Sequence, residues 1–239
     1  MDKIVKGIVL KASEYKDADK MLTLLTLEEG KISVKARGVK KSTSKLKPYC
    51  QSFCFADFEL AESHGMYILT GVNHIDSFFD LTTDYEKFSY GYAVLEILDK
   101  VCVESQTYVP LFIDSLKCLK ALSYSTLDPR LVLSKFIINL LSYEGFNLNL
   151  NKCSHCKLDF AGGIYLDYMA GELLCPACKT FDSFEIDKSV FATMKILSNN
   201  DYDNLNTIKI SKNILDKTLD ALTKDLCLKF EFKLNSLKL

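Results

Sequence analysis

The chain has 239 residues, of which 48% are apolar and 26% charged, with 30 Lys and Arg against 31 Asp and Glu and a formal net charge of −1. This length suits two modest domains and is short for three, and the composition is that of a globular protein, which excludes a disordered or low-complexity chain. Apolar runs such as 131–141 are broken by Ser134, Lys135 and Asn139, and none approaches the roughly 20 residues that cross a bilayer, so no membrane partner is expected.

The first twenty residues show no sustained apolar core and no small-residue cleavage site, so a secretory signal is not expected there. Nine cysteines then read as reduced thiols or metal ligands of a cytoplasmic protein and not as a disulfide framework.

Residues 1–79 read as β-structure. Segments 5–10 and 21–27 are rich in Val, Ile, Leu and Thr, and Glu28-Glu29-Gly30 makes a turn into 31–37. There Ile32, Val34 and Ala36 alternate with Lys31, Ser33, Lys35 and Arg37, the period of a half-buried strand. Two further runs, 53–60 and 66–75, are joined by Glu62-Ser63-His64-Gly65. Five short strands with turn residues between them suit a small closed barrel such as the five-stranded OB fold. Residues 38–49 (GVKKSTSKLKPY) alternate poorly and read as a long, basic, mobile loop.

After residue 80 the period becomes helical, over 85–103 and 108–122. Asp128-Pro129 is a helix start, with Asp as N-cap and Pro in the first turn, and that helix stops at Gly145. Two more helices are expected over 187–197 and 211–228. The fold class is therefore α+β multidomain: an OB-type barrel at 1–79 and a helical domain in two parts, 80–150 and 182–239. A cysteine module at 151–181 is inserted between those parts.

Within that module Cys153 and Cys156 form one CxxC pair and Cys175 and Cys178 form another, with eighteen residues between the pairs. Each CxxC turn brings two thiolates to one ion, and two turns complete the tetrahedron that zinc prefers. Four thiolates leave no open position, which favours one structural zinc per chain over a catalytic one. An iron–sulfur cluster uses the same four ligands and is the rival. Residues 164–174, turning at Gly171-Glu172, read as the hairpin of a zinc-ribbon-like insertion. Cys50, Cys54, Cys102, Cys118 and Cys227 lack paired spacing and read as core residues. His155 sits inside the first knuckle without being needed, and His64 and His74 read as barrel or loop residues.

Charge is unevenly distributed. Lys31, Lys35, Arg37, Lys40, Lys41, Lys45 and Lys47 follow one another with no acidic residue among them, and the balancing acids lie at 57–62, 76–86 and 182–187. An unopposed run that passes from strand to loop, flanked by Tyr49, Phe53 and Phe55, points to nucleic acid. The basic strand itself carries no aromatic residue, which favours contacts to the phosphate backbone over stacking.

Several of these segments resemble the bacterial recombination mediator family RecO: YKDADKMLTLLTL at 15–27, EGK at 29–31, and ARG at 36–38 leading into a Lys/Ser-rich loop. The order of later features agrees, through the helices, the glycine before the first knuckle, the paired CxxC motifs and the tail FKLNSLKL at 232–239. The resemblance implies binding to single- and double-stranded DNA and annealing of complementary strands. It also implies loading of a recombinase onto DNA coated by the single-strand-binding protein SSB, with RecR and often RecF. By position, Lys35, Arg37, Lys40 and Lys41 would contact phosphates, and the SSB C-terminal tail would bind in the helical domain at residues that no motif here marks. The near-exclusive use of Lys departs from the more Arg-rich versions of the loop.

The sequence contains no GxxxxGK[ST] nucleotide loop, no HExxH, and no HxE before a CxxC, so a non-enzymatic DNA-binding mediator is expected. The competing classes are a zinc-dependent nucleic-acid-processing enzyme, for which Asp17 and Asp19 are the nearest acids, and a zinc-ribbon transcription regulator. Asp17 and Asp19 read more simply as loop residues of the first hairpin.

Overall fold

The computed structural model describes residues 2–237. Met1 and the last two residues of the 232–239 tail lie outside the described residues. The chain forms two compact units, Met1–Tyr124 and Ser125–Leu239.

The first unit begins with five strands, β1 (Asp2–Tyr15), β2 (Asp19–Thr26), β3 (Gly30–Ala36), β4 (Phe55–Ser63) and β5 (Met66–Asp76). They close a barrel in the order β1-β2-β3-β5-β4, sealed by a parallel pairing of β3 with β5 at Val34–Tyr67 and Lys35–Ile68. β1 is long because it serves two neighbours. Its first half pairs with β4, its second half with β2, and a bulge between Val9 and Lys11 bends it from one to the other. The expected alternation of β3 holds: Ile32, Val34 and Ala36 join Val5, Val9 and Phe58 in the barrel core.

Gly30 is required at the β2–β3 turn. Its φ is +69°, and a Cβ there would lie 1.8 Å from the backbone oxygen of Gln106. Two helices complete this unit, α1 (Tyr85–Val101) and α2 (Val109–Tyr124).

The second unit contains α3 (Pro129–Tyr143), α4 (Lys188–Asn199), α5 (Lys212–Lys229) and a small sheet of β6 (Ile164–Asp167), β7 (Glu172–Leu174) and β8 (Ser183–Ile186). The N-cap of α3 is Asp128, whose Oδ1 accepts from the Arg130 backbone N–H at 3.0 Å. The helix closes as expected at Gly145: the Phe146 N–H donates to the Leu141 carbonyl at 2.7 Å and the Gly145 N–H to Ser142 at 3.2 Å. The expected hairpin is present but is not alone. β8 pairs with the other side of β6, giving the order β7-β6-β8.

Candidate nucleic-acid surface and metal centre

β3 and the turns after it carry the basic run, and the fold treats its members differently. The Lys31 Nζ donates to the Asp99 backbone oxygen at 2.6 Å, near the C-terminal end of α1, and lies 3.6 Å from the Asp99 carboxylate. Lys35 pairs with Asp19 at 3.1 Å, and the side chains of both lysines are only 14% exposed. Lys40 is paired with Glu14. The run is thus unopposed along the sequence and partly opposed in space. Its acids come from the β1–β2 hairpin and from α1, which sequence order does not bring near it.

Arg37, Lys41, Lys45 and Lys47 are exposed, and none of them makes an ion pair among the described residues. These four are the accessible part of the run.

The segment that carries them is not the mobile loop expected. Val39 is fully buried in the barrel core, and Leu46 and Tyr49 pack against that core. Between these anchors the backbone makes successive turns, Lys41 N–H to Gly38, Ser44 N–H to Lys41 and Tyr49 N–H to Leu46. Three anchoring side chains spaced among lysines are enough to fix a basic turn on a barrel rim.

Asp19 organises the start of this turn. It is the first residue of β2 and not a loop residue. Its Oδ1 accepts from the Gly38 N–H at 2.9 Å while Oδ2 faces Lys35. The Gly38 N–H and then the Lys35 ammonium hold its carboxyl below the ordinary aspartate value. Lys40 does the same to Glu14. Tyr15 adds its ring face to Lys35, with Nζ 5.0 Å from the centroid.

The flanking aromatic residues are committed elsewhere. Phe53 is 3% exposed and meets Phe88 edge-on at 5.7 Å, and Phe55 meets Phe112 at 6.3 Å. Tyr49 stacks on His74 at 5.5 Å. They hold α1, α2 and β5 and do not form a row of free rings beside the lysines.

The four paired cysteines do come together. The sulfurs of Cys153, Cys156, Cys175 and Cys178 all lie within 4.8 Å of one another, and Cys156 and Cys175 are 3.8 Å apart. A tetrahedral ion with metal–sulfur bonds of about 2.3 Å would separate its ligands by about 3.8 Å, so the donor set fits one metal ion.

Burial works to raise the Cys153 thiol. The N–H groups of Cys156, Cys175 and His155 outweigh it and bring the thiol down to about 6. Cys178 is pushed up to about 12 by burial and by the three neighbouring sulfurs. Four thiols this close ionise together only around a cation. His155 takes no part in the set.

The first knuckle is tied to the sheet by the Ser154 N–H donating to Leu173 at 2.9 Å. Phe160 seats the module on α4 by meeting Phe191 at 5.2 Å. Cys50, Cys54, Cys102 and Cys118 are buried and Cys227 half-buried. Burial raises Cys50 to about 11 and Cys54 to about 12, which keeps both unreactive.

An OB-type barrel with an exposed basic turn, followed by helices and four cysteines close enough to hold one metal ion, defines the class of α+β protein. Comparison with known families narrows this. The model described as recombination protein O N terminal matches residues 1–78, and that described as recombination protein O C terminal matches residues 82–238. The chain belongs to the RecO family.

It is 28% identical to the DNA repair protein RecO of Clostridium acetobutylicum over 217 residues, covering 91% of this chain and 88% of that protein. It is 29% identical to the protein of that name from Clostridium perfringens, covering 87% and 85%. The Clostridium novyi protein of that name is 27% identical over 98% of this chain and 91% of the relative. No helix among the described residues is long and apolar enough to cross a membrane.

Proposed function

We propose that this protein is a non-enzymatic mediator of bacterial DNA repair and homologous recombination, acting in the cytoplasm. Its barrel, residues 1–79, is the DNA-binding domain. It holds single- and double-stranded DNA, anneals complementary strands, and loads a recombinase onto SSB-coated DNA with RecR, and with RecF, through contact with the SSB C-terminal tail. The observation that carries this reading is membership of the RecO family along nearly the whole chain.

The barrel surface supports it. Arg37, Lys41, Lys45 and Lys47 are exposed cations on one fixed turn. Three of them are lysines, which meet phosphates as point charges and do not impose the bidentate geometry that reads a base edge. Binding through them is independent of sequence and falls as salt rises. Lys35 and Lys40 are held in reserve by Asp19 and Glu14, and Lys31 serves the barrel–α1 joint.

We assign zinc to Cys153, Cys156, Cys175 and Cys178. Bound there, it would cross-link two turns and supply folding energy. A tetrahedron filled by sulfur has no position for substrate or water, which supports a scaffold role.

The experiment is strand annealing on SSB-coated complementary oligonucleotides, with and without RecR and without ATP. Acceleration by this protein is expected. Failure to anneal would refute the mediator reading, and cleavage of the strands would revive the enzyme reading.

A further inference from the structure

The segments just before β4 and just after β5, with α1, frame an open cavity of about 240 Å³ whose lining is half aromatic and half polar. Phe53 forms part of it from a constrained position. Its φ is +72°, a region that costs a residue with a Cβ of order 1 kcal/mol. Its ring reaches α1 at Gly91, where an added Cβ would lie 3.1 Å from the ring. Phe88 and Tyr92 meet that ring edge-on at 5.7 and 5.8 Å and lie 5.5 Å from each other. Phe79 completes the lining and is 68% exposed. The arrangement keeps aromatic surface open to solvent beside rings that are locked in place.

The cavity also lies next to the basic turn. From Lys47 the chain passes through Tyr49 to Gln51, whose exposed amide has no hydrogen-bond partner among the described residues. Tyr49 stacks on His74, and the His74 Nε2 is 2.7 Å from the Ser77 hydroxyl in the cavity lining. Lys20 braces the same turn by donating to the Cys50 carbonyl at 3.2 Å. Of the acids flanking the lining, Asp76 is already engaged by the N–H groups of Ser77 and Phe78 and by the Tyr124 hydroxyl, while Asp80, Asp84 and Glu86 are exposed on the side away from Lys47 in sequence.

Cations that hold a backbone, followed directly by open aromatic faces and an unused amide, match the two needs of a single strand. We propose that this cavity takes an unstacked base of single-stranded DNA whose phosphates run along the basic turn. The proposal rests on the DNA-binding reading and adds a preference to it: strands bearing bases are held more tightly than their backbone alone.

The test is fluorescence anisotropy with labelled oligo-dT and an abasic oligonucleotide of the same length, on the full-length protein and on Phe79→Ala and Phe79→Tyr. Phe79 is exposed enough to be replaced without unfolding the barrel. The native protein should prefer oligo-dT. Phe79→Ala should lose about fivefold to a hundredfold on oligo-dT, keep its abasic affinity and its salt dependence, and Phe79→Tyr should restore binding. Oligo-dT affinity unchanged in Phe79→Ala would leave the cavity to an apolar side chain of a partner protein and overturn the proposal. An equal loss on both oligonucleotides would overturn it as well. A native protein that binds neither probe would refute the DNA-binding reading and this proposal with it.

Discussion

Lys35 Nζ lies 3.1 Å from Asp19 Oδ2 across the β2–β3 pair, so this basic residue of the strand is already neutralised by its neighbour. The other oxygen of Asp19 holds the Gly38 N–H and with it the start of the basic turn. One carboxylate thus decides both whether Lys35 is free and where the turn begins.

Asp19→Asn keeps an oxygen for Gly38 and removes the charge facing Lys35. Binding to single-stranded DNA should tighten, and the slope of log affinity against log salt should steepen by about 0.7, the value of one more neutralised phosphate. Anisotropy titrations across a salt series measure both. An unchanged slope would mean that Lys35 stays out of reach of phosphate even when released.

Lys31 offers the reverse case. Its ammonium serves the Asp99 carbonyl near the end of α1, so Lys31→Ala should cost about 1–2 kcal/mol of stability and leave the salt slope of DNA binding where it was. Denaturant unfolding beside a salt-series titration separates the two effects. A shallower slope would return Lys31 to the DNA-binding surface.

Much of this was legible in the sequence, and what was not has a common cause. Period-2 alternation marked β3, the Asp128-Pro129 pair marked the start of α3, and spacing alone brought four cysteines to one point. Each of these signals is local. The partners of Lys31, Lys35 and Lys40 sit on α1, β2 and β1, where the register of the closed barrel and the seating of α1 set them opposite. Val39 lies among lysines and polar residues, so its burial carries no periodic signal. Residues 183–186 read as part of an acidic stretch and become an edge strand because β6 has a free side to pair. Phe53 and Phe55 look like free aromatic neighbours of the basic run until α1 and α2 are laid against them.

Asp128 makes an acid-sensitive joint in the second unit. Burial works to raise its carboxyl, but the Arg130 guanidinium, donating at 2.8 and 2.6 Å, and the Arg130 N–H hold it below the ordinary value. Its stabilising contribution is therefore present above the unfolded aspartate value of about 4 and is lost as pH falls through the lower folded value. Asp128→Ala should cost about 1–2 kcal/mol near neutral pH, with a smaller difference from the native chain below that range. Urea unfolding at several pH values checks this, and a constant difference down to strong acid would remove Asp128 as the source.

Removing the metal should unfold the module and spare the barrel. One zinc per chain is expected by elemental analysis, in a colourless protein, whereas a brown preparation would indicate iron–sulfur. Chelation, or Cys175→Ser, should lower the melting temperature by about 5–10 °C while DNA affinity falls little. Loss of DNA binding on chelation would place the metal in the binding surface.

The most direct test of the central claim is the salt-dependent affinity of the combined variant Arg37→Glu, Lys41→Glu, Lys45→Glu and Lys47→Glu for oligonucleotides of unrelated sequence. All four residues are exposed and unpaired among the described residues, so the barrel should remain folded. Affinity should fall by a similar factor for every sequence, and the salt slope should shallow by about 0.7 for each phosphate no longer neutralised. A folded variant that binds with native affinity and native slope would show that DNA meets this protein somewhere else.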